Sequence, residues 1–302
     1  MSPLGRRSLL GGCLVAAIVL VAPASATSVT PAGPASADLA SPLVTVGPSP
    51  EPEPSREALA QAPQATNYAA AMVGAAHAAV PKGVTFGVSV LDLRTGQLAV
   101  TGTEQFYSAS LSKLMLVVDM IDRGVEITPA VHDLITRALG PSDDEAMNVL
   151  WVKFDGADAM TRVADSLGMA ATATADDRSQ WGEVKVSPAG YARLYQHIMT
   201  EMDPADRDVI VTALSGAPPA AADGFNQSYG LLDAAPKAFA KQGWMYYGNQ
   251  LYLHSAGVVA NGSDRYVVVL MTSQASSSGV ARANVSAIAA AVMGAMPATS
   301  PS

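Results

Sequence analysis

Cysteine is almost missing from this 302-residue chain: Cys13 is the single one. A disulfide framework and a cysteine-based metal cluster are therefore excluded. Histidine is scarce too. His77, His132, His197 and His254 are scattered, with no short metal-ligand spacing between any two, so no metal is expected. Basic residues number 18 against 26 acids, a formal charge of −8. That balance lacks the positive footprint a nucleic-acid binder needs. Past the amino terminus there is no apolar run long enough to span a bilayer. What the chain has is apolar residues: 49% are hydrophobic and 15% charged, ample for a buried core.

The first 26 residues read as an export signal. Arg6-Arg7 begins it, Leu9 to Ala22 is apolar, and Ala24-Ser25-Ala26 offers a cleavage site. Arg6-Arg7-Ser8-Leu9-Leu10 resembles a twin-arginine leader. Leu10-Gly11-Gly12-Cys13 resembles a lipoprotein box, but the cysteine precedes most of the apolar run. Cleavage there would leave that run on the mature chain, so cleavage after Ala26 is expected. The product is then extracytoplasmic, without a membrane span. Residues 27–55 follow as a tether, with seven prolines between Thr27 and Pro54 and no lysine or arginine before Arg56. Residues 56–298 form the expected folded domain, expected as a monomer.

Hydrophobic periodicity divides that domain into elements. Glu57 to Val80 reads as a helix, then Val84 to Leu93 and Gln97 to Thr101 as two strands joined by Arg94-Thr95-Gly96. Leu111 to Ile121 is apolar on nearly every side, the pattern of a helix buried all round. Further helices are expected over Ala130–Leu139, Glu145–Phe154, Ala157–Leu167 and Pro188–Met202, with loops near Ala217 and Gly224. Strands follow over Lys237–Trp244, Leu251–Val259 and Arg265–Thr272, and a last helix over Val280–Met296. The order predicts an α/β fold: a mixed or antiparallel sheet flanked by helices, plus an all-helical lobe.

Three clusters carry chemistry. Ser110 stands at the start of the buried helix and Lys113 one turn inside it, on the same side. Backbone N–H groups at a helix start favour a developing anion. A lysine in apolar surroundings loses its proton more readily and can serve a serine nucleophile as base. In a serine-rich chain this spacing also arises by chance, with an N-capping serine and a snorkelling lysine as its plain meaning. Ser142-Asp143-Asp144 lies between two helices, and Lys241-Gln242-Gly243 on a strand leading into a hairpin.

In that order the clusters resemble S-x-x-K, S-D-N and K-T-G, the signature of class A β-lactamases and penicillin-binding proteins. The resemblance covers about Asn67 to Met296. It implies the β-lactamase/transpeptidase-like fold and a serine hydrolase without cofactor, acting on β-lactams or D-alanyl cell-wall peptides. Ser110 would be acylated, Lys113 would help take its proton, and Ser142 would relay a proton to the leaving nitrogen. Lys241 would bind a substrate carboxylate, with Gln242, Gly243 and Asp144 beside it. The N–H groups of Ser110 and Trp244 would form the oxyanion hole.

The chain departs from that pattern in ways that matter. Asp144 replaces an asparagine; its carboxylate repels a substrate carbonyl, and pairing with Lys113 would keep that lysine protonated. Gln242 replaces a short hydroxyl. The Ser110–Ser142 gap is short, so a trimmed helical lobe is expected. Between Met169 and Ser187 no E-x-x-L-N loop appears. Asp176, Asp177 and Glu183 are the acids there, expected as solvated loop residues. Acylation is thus expected without fast deacylation. The alternative is a non-catalytic relative serving as a cell-wall or protein-binding module. Trp151, Trp181 and Trp244 are expected in the core or a cleft wall, and His254 as a satisfied sheet residue.

Overall fold

A computed structural model describes residues 67–102 and 104–297. The expected leader, tether and first part of the Glu57–Val80 helix lie outside the described residues.

The central element is a five-stranded, wholly antiparallel sheet. Its strands are β1 (Thr85–Asp92), β2 (Leu98–Thr101), β5 (Phe239–Tyr247), β6 (Gln250–Asn261) and β7 (Asp264–Gln274), in the order β2-β1-β7-β6-β5. The sheet therefore joins the two ends of the domain through the β1–β7 pairing, in which Val88 faces Leu270. Val267, Val269 and Met271 point into one core and Tyr266, Val268 and Leu270 into another. This period-2 alternation explains why a strand with apolar residues at nearly every position covers two layers.

On one face lie α1 (Tyr68–Ala78) and α9 (Ser278–Gly294). Asn67 caps α1 by accepting the Ala70 N–H at 3.0 Å. On the other face lies the helical lobe. It comprises α2 (Ser112–Asp122), α3 (Pro129–Leu139), α4 (Asp144–Lys153), α5 (Gly156–Ser166), α6 (Pro188–Thr200) and α7 (Pro204–Ser215). Helix α2 is buried from Ser112 to Ile121, as its unbroken apolar pattern predicts. Its one acid in that stretch, Asp119, is buried and held by Arg162 at 2.8 Å and Arg123 at 2.9 Å, which compensates its desolvation.

Helix α7 and three shorter elements escaped the sequence pattern. Helix α7 buries only Ile210, Ala213 and Leu214, so its periodic signal is weak. The strands β3 (Phe106–Tyr107) and β4 (Lys185–Val186) pair for two residues only. The short helix α8 (Leu231–Ala234) falls where no pattern was seen. Among the described residues no helix is long and apolar enough to cross a membrane.

Candidate active site

Ser110 sits in a 3-10 turn, Ala109–Leu111, that runs directly into α2. Ala109 takes a positive φ of 48°, a strained conformation for a residue with a Cβ. The turn is tied down by Tyr191, whose hydroxyl donates to Leu111 O at 3.0 Å, and by the Ser112 hydroxyl on Ala109 O at 2.9 Å. Ser142, in the connection before α4, likewise has a positive φ, 57°. Asp143 caps α4 through the Glu145 and Ala146 N–H groups and is held by Arg137. Lys241 and Gly243 lie on β5, an edge strand.

These segments converge. Lys113 Nζ is 3.0 Å from Ser110 Oγ, 3.2 Å from Ser142 Oγ and 2.6 Å from Ser142 O. Lys241 Nζ donates to Ser142 Oγ at 2.8 Å and to Gln242 O at 2.9 Å. Ser142 therefore bridges two lysines, and one of them reaches Ser110. Gly243 allows the approach of β5 to the Ser110 turn: a Cβ there would lie 3.0 Å from Ser108 O and 3.2 Å from Leu111 Cγ.

Above this array opens a cleft of about 460 Å³. Ser110, Asp144 and Trp244 line it, together with Asn148, Trp181, Glu183 and Asp223. Lys113 and Lys241 lie wholly buried beneath. Gln242 is placed differently from the expected substrate contact. Its amide is buried and donates to Tyr229 O at 2.6 Å and Gln227 O at 3.1 Å, tying β5 to the preceding loop. The long side chain reaches those carbonyls where a short hydroxyl would not.

Asp144 Oδ1 accepts from Lys113 at 2.6 Å. The expected ion pair is present and favours the lysine proton, but burial outweighs it. Burial pushes the Lys113 ammonium below its ordinary lysine range, and the attraction of Asp144 only partly offsets this. The asymmetry has a cause: Lys113 is fully buried, whereas the Asp144 side chain is 59% exposed and water screens its field. Lys241 is lowered much further, first by burial and then by the neighbouring Lys113 charge.

His254 on β6 is satisfied between β3 and β7. Its Nε2–H donates to Tyr107 O at 2.8 Å and its Nδ1 accepts the Thr272 N–H at 3.3 Å. Burial depresses the ring to about 4, so it is neutral at physiological pH. Of the loop acids, Asp176 and Asp177 are exposed. Glu183 is not simply solvated: it is half-buried and faces the cleft. Its carboxylate makes no side-chain hydrogen bond among the described residues, and Ser110 Oγ has Lys113 as its side-chain partner.

Asn148 and Asp223 entered the site without being anticipated. Asn148 accepts from Trp181 Nε1 at 3.0 Å, and Asp223 from Trp244 Nε1 at 3.0 Å, so both indoles are fixed as cleft walls. Asn148 lies four residues after Asp144 on α4, a spacing that puts it on the same face. Asp223 comes from an irregular loop and left no local signal.

Comparison with known proteins settles the ancestry. The profile of the beta-lactamase enzyme family matches residues 121–296. A Mycobacterium tuberculosis chain provisionally named lipoprotein LppW is 31% identical over 232 residues, covering 74% of this chain and 70% of its own. This chain belongs to the beta-lactamase enzyme family. Ser142 and Lys241 fall inside the family match, while Ser110 and Lys113 precede it. The fold is that of the β-lactamase and transpeptidase-like proteins. TLA-1 extended-spectrum β-lactamase superposes with a TM-score of 0.65 at 10% identity, covering 76% of this chain and 99% of that one. PBP-A superposes at 0.60 and 17% identity, covering 74% and 95%.

Proposed function

We propose that this family member is an extracytoplasmic serine hydrolase that forms an acyl-enzyme on Ser110 and releases it slowly. The observation that carries this reading is the unbroken contact chain Ser110–Lys113–Ser142–Lys241 at the floor of a cleft. Export rests on the leader pattern and accords with the lipoprotein name of the mycobacterial relative.

In the proposed reaction, Lys113 in its free-base form takes the Ser110 hydroxyl proton. Oγ then bonds to the carbonyl carbon of an amide or ester. The N–H groups of Ser110 and Trp244 hold the oxyanion, since both residues border the cleft. The proton passes from Lys113 through Ser142 to the leaving nitrogen or oxygen as its bond to carbon breaks. One acyl group is now on Ser110 and one protonated leaving group is released. Lys241 orients Ser142 by donating to it. Water finally cleaves the acyl ester and restores the hydroxyl. Slow release is supported by Glu183, the cleft acid on the expected loop, whose carboxylate has no hydrogen-bond partner among the described residues to aim it at a water. β-Lactam rings and D-alanyl peptide ends are the acyl donors the family resemblance brings into view.

The Asp144–Lys113 ion pair favours a second reading, a non-catalytic relative serving as a cell-wall or protein-binding module. An uncharged fluorophosphonate separates the two. Intact mass should show one phosphonyl group on the wild type and none on Ser110→Ala. An unlabelled wild type would establish the binding module.

A further inference from the structure

The cleft is lined by acids, while the lysines lie buried beneath it. Both lysines that could greet an anion are sealed beneath the floor. Lys241, the residue expected to hold a substrate carboxylate, spends its donors on Ser142 Oγ and Gln242 O. Gln242 faces loop carbonyls instead of the cleft. Among the described residues lining the cleft there is no lysine or arginine, but there are three acids: Asp144, Glu183 and Asp223.

The three acids differ in how far they are neutralised. Asp144 is paired with Lys113. Glu183 and Asp223 have no ion-pair partner among the described residues. Asp223 is held in place by the Phe225 N–H at 2.8 Å and the Trp244 indole at 3.0 Å. Trp244 is in turn stacked on Phe225, with centroids 4.8 Å apart and planes 10° from parallel. The Trp244 ring itself is occupied, by Phe225 stacked on it and by Lys241 Nζ 5.9 Å from its centroid, so a fixed carboxylate in the cleft favours an organic cation through charge attraction. A carboxylate in the same place meets two like charges that have no direct ion-pair partner among the described residues, beside low-dielectric walls that concentrate the field. The cleft is a site independently of these acids, because Ser110 opens into it.

We infer that this cleft selects acyl donors carrying an ammonium-type cation and discriminates against those carrying a carboxylate. The inference rests on the serine hydrolase reading for the word donor, but the charge preference itself is a property of binding. It also means that an ordinary penicillin or a D-alanyl peptide end, each of which carries a carboxylate, is disfavoured, against what the family resemblance implies, whereas a neutral or cationic ester is a good reagent.

The test uses three N-phenyl hexanamides, unreactive and of equal length, ending in a trimethylammonio group, a methyl group or a carboxylate. Binding to the full-length protein is read by tryptophan fluorescence. The cationic amide should bind more tightly than the anionic one, on the order of tenfold at low ionic strength. The gap should shrink as salt rises toward physiological strength. It should close in the double variant Glu183→Gln, Asp223→Asn, which keeps the acceptor for the Trp244 indole. Equal binding of the three, or tighter binding of the carboxylate, overturns the inference. The corresponding para-nitrophenyl esters then report on the chemistry. If they turn over with the same charge order, the hydrolase reading and the inference stand together. If none turns over in a Ser110-dependent way while the cationic amide still binds best, the hydrolase reading falls and the charge selectivity stands.

Discussion

Lys113 and Asp144 form an unequal pair: their charged atoms are 2.6 Å apart, yet the lysine is wholly buried and the aspartate is 59% exposed. The exposed partner is too well screened to hold the buried one at its ordinary proton affinity. Asp144 is nonetheless the largest influence keeping the proton on Lys113. Asp144→Asn should therefore lower the lysine further, moving the rising limb of the acylation pH profile to lower pH. At pH 7 the acylation rate should increase by up to about tenfold, the factor for one pH unit of that limb. The check is the rate of fluorophosphonate labelling against pH. A slower variant with an unmoved profile would mean that Asp144 positions Lys113 without restraining its proton.

Lys241 should lower the stability of the fold. Its proton affinity is well below that of an exposed lysine, because burial and the Lys113 charge both disfavour the cation. Between the folded pKa and the unfolded value near ~10.4, the unfolded chain binds more protons than the folded one. Stability from this group therefore rises with pH through that window. Lys241→Met should stabilise the protein at pH 7 by about 1–2 kcal/mol, as replacement of buried charges by apolar groups often does. The gain should diminish as pH rises, while Ser110 acylation falls. Thermal melts at several pH values decide it, and a loss of stability at pH 7 would show that the Lys241–Ser142 bond outweighs desolvation.

His254 gives a prediction of the same pH sense in a more acidic window. Its ring is depressed to about 4 by burial, against ~6.5 in an unfolded chain. The stability it confers as a neutral group is fully present above pH ~6.5 and is lost as pH falls toward 4. The loss amounts to about 3 kcal/mol over that window. His254→Gln should be less stable at pH 7 but flatter in its acid response. Urea midpoints from pH 7 to pH 4 measure this. An identical acid slope in both proteins would assign the acid sensitivity elsewhere.

Gly243 couples β5 to the Ser110 turn. A methyl group there would press on Ser108 O, Leu111 and His254 together. Gly243→Ala should cost about 1–3 kcal/mol of stability through overpacking. It should cost more in acylation, on the order of a hundredfold, because Ser110 and the oxyanion groups separate. Labelling rate and melting temperature on the same sample separate the two effects, and an unchanged labelling rate contradicts the coupling.

The sheet and most lobe helices were legible because strands and helices bury their apolar residues with different periods, as in Val84–Leu93 and Leu111–Ile121. Helix α7 was not, because only three of its residues reach the core. The lysine–serine chain could be anticipated from ordered short motifs, since Ser110 and Ser142 each precede a helix and Lys241 lies on a recognisable strand. The charge of the cleft could not. Glu183 and Asp223 come from loops distant in sequence, and only the folded chain brings them to one wall. The behaviour of Lys113 was also hidden. Sequence proposes its partner Asp144, but the balance of burial against attraction depends on how much water reaches each of them.

The central claim, acylation of Ser110 with slow release, is tested most directly by intact mass. The protein is mixed with an excess of a neutral para-nitrophenyl ester and sampled over time, beside Ser110→Ala. The account predicts a burst of nitrophenol matched by one acyl group on the wild type, an adduct that persists through slow turnover, and neither in the variant. An equal burst and adduct in Ser110→Ala, or fast turnover with no adduct at any time, would contradict it.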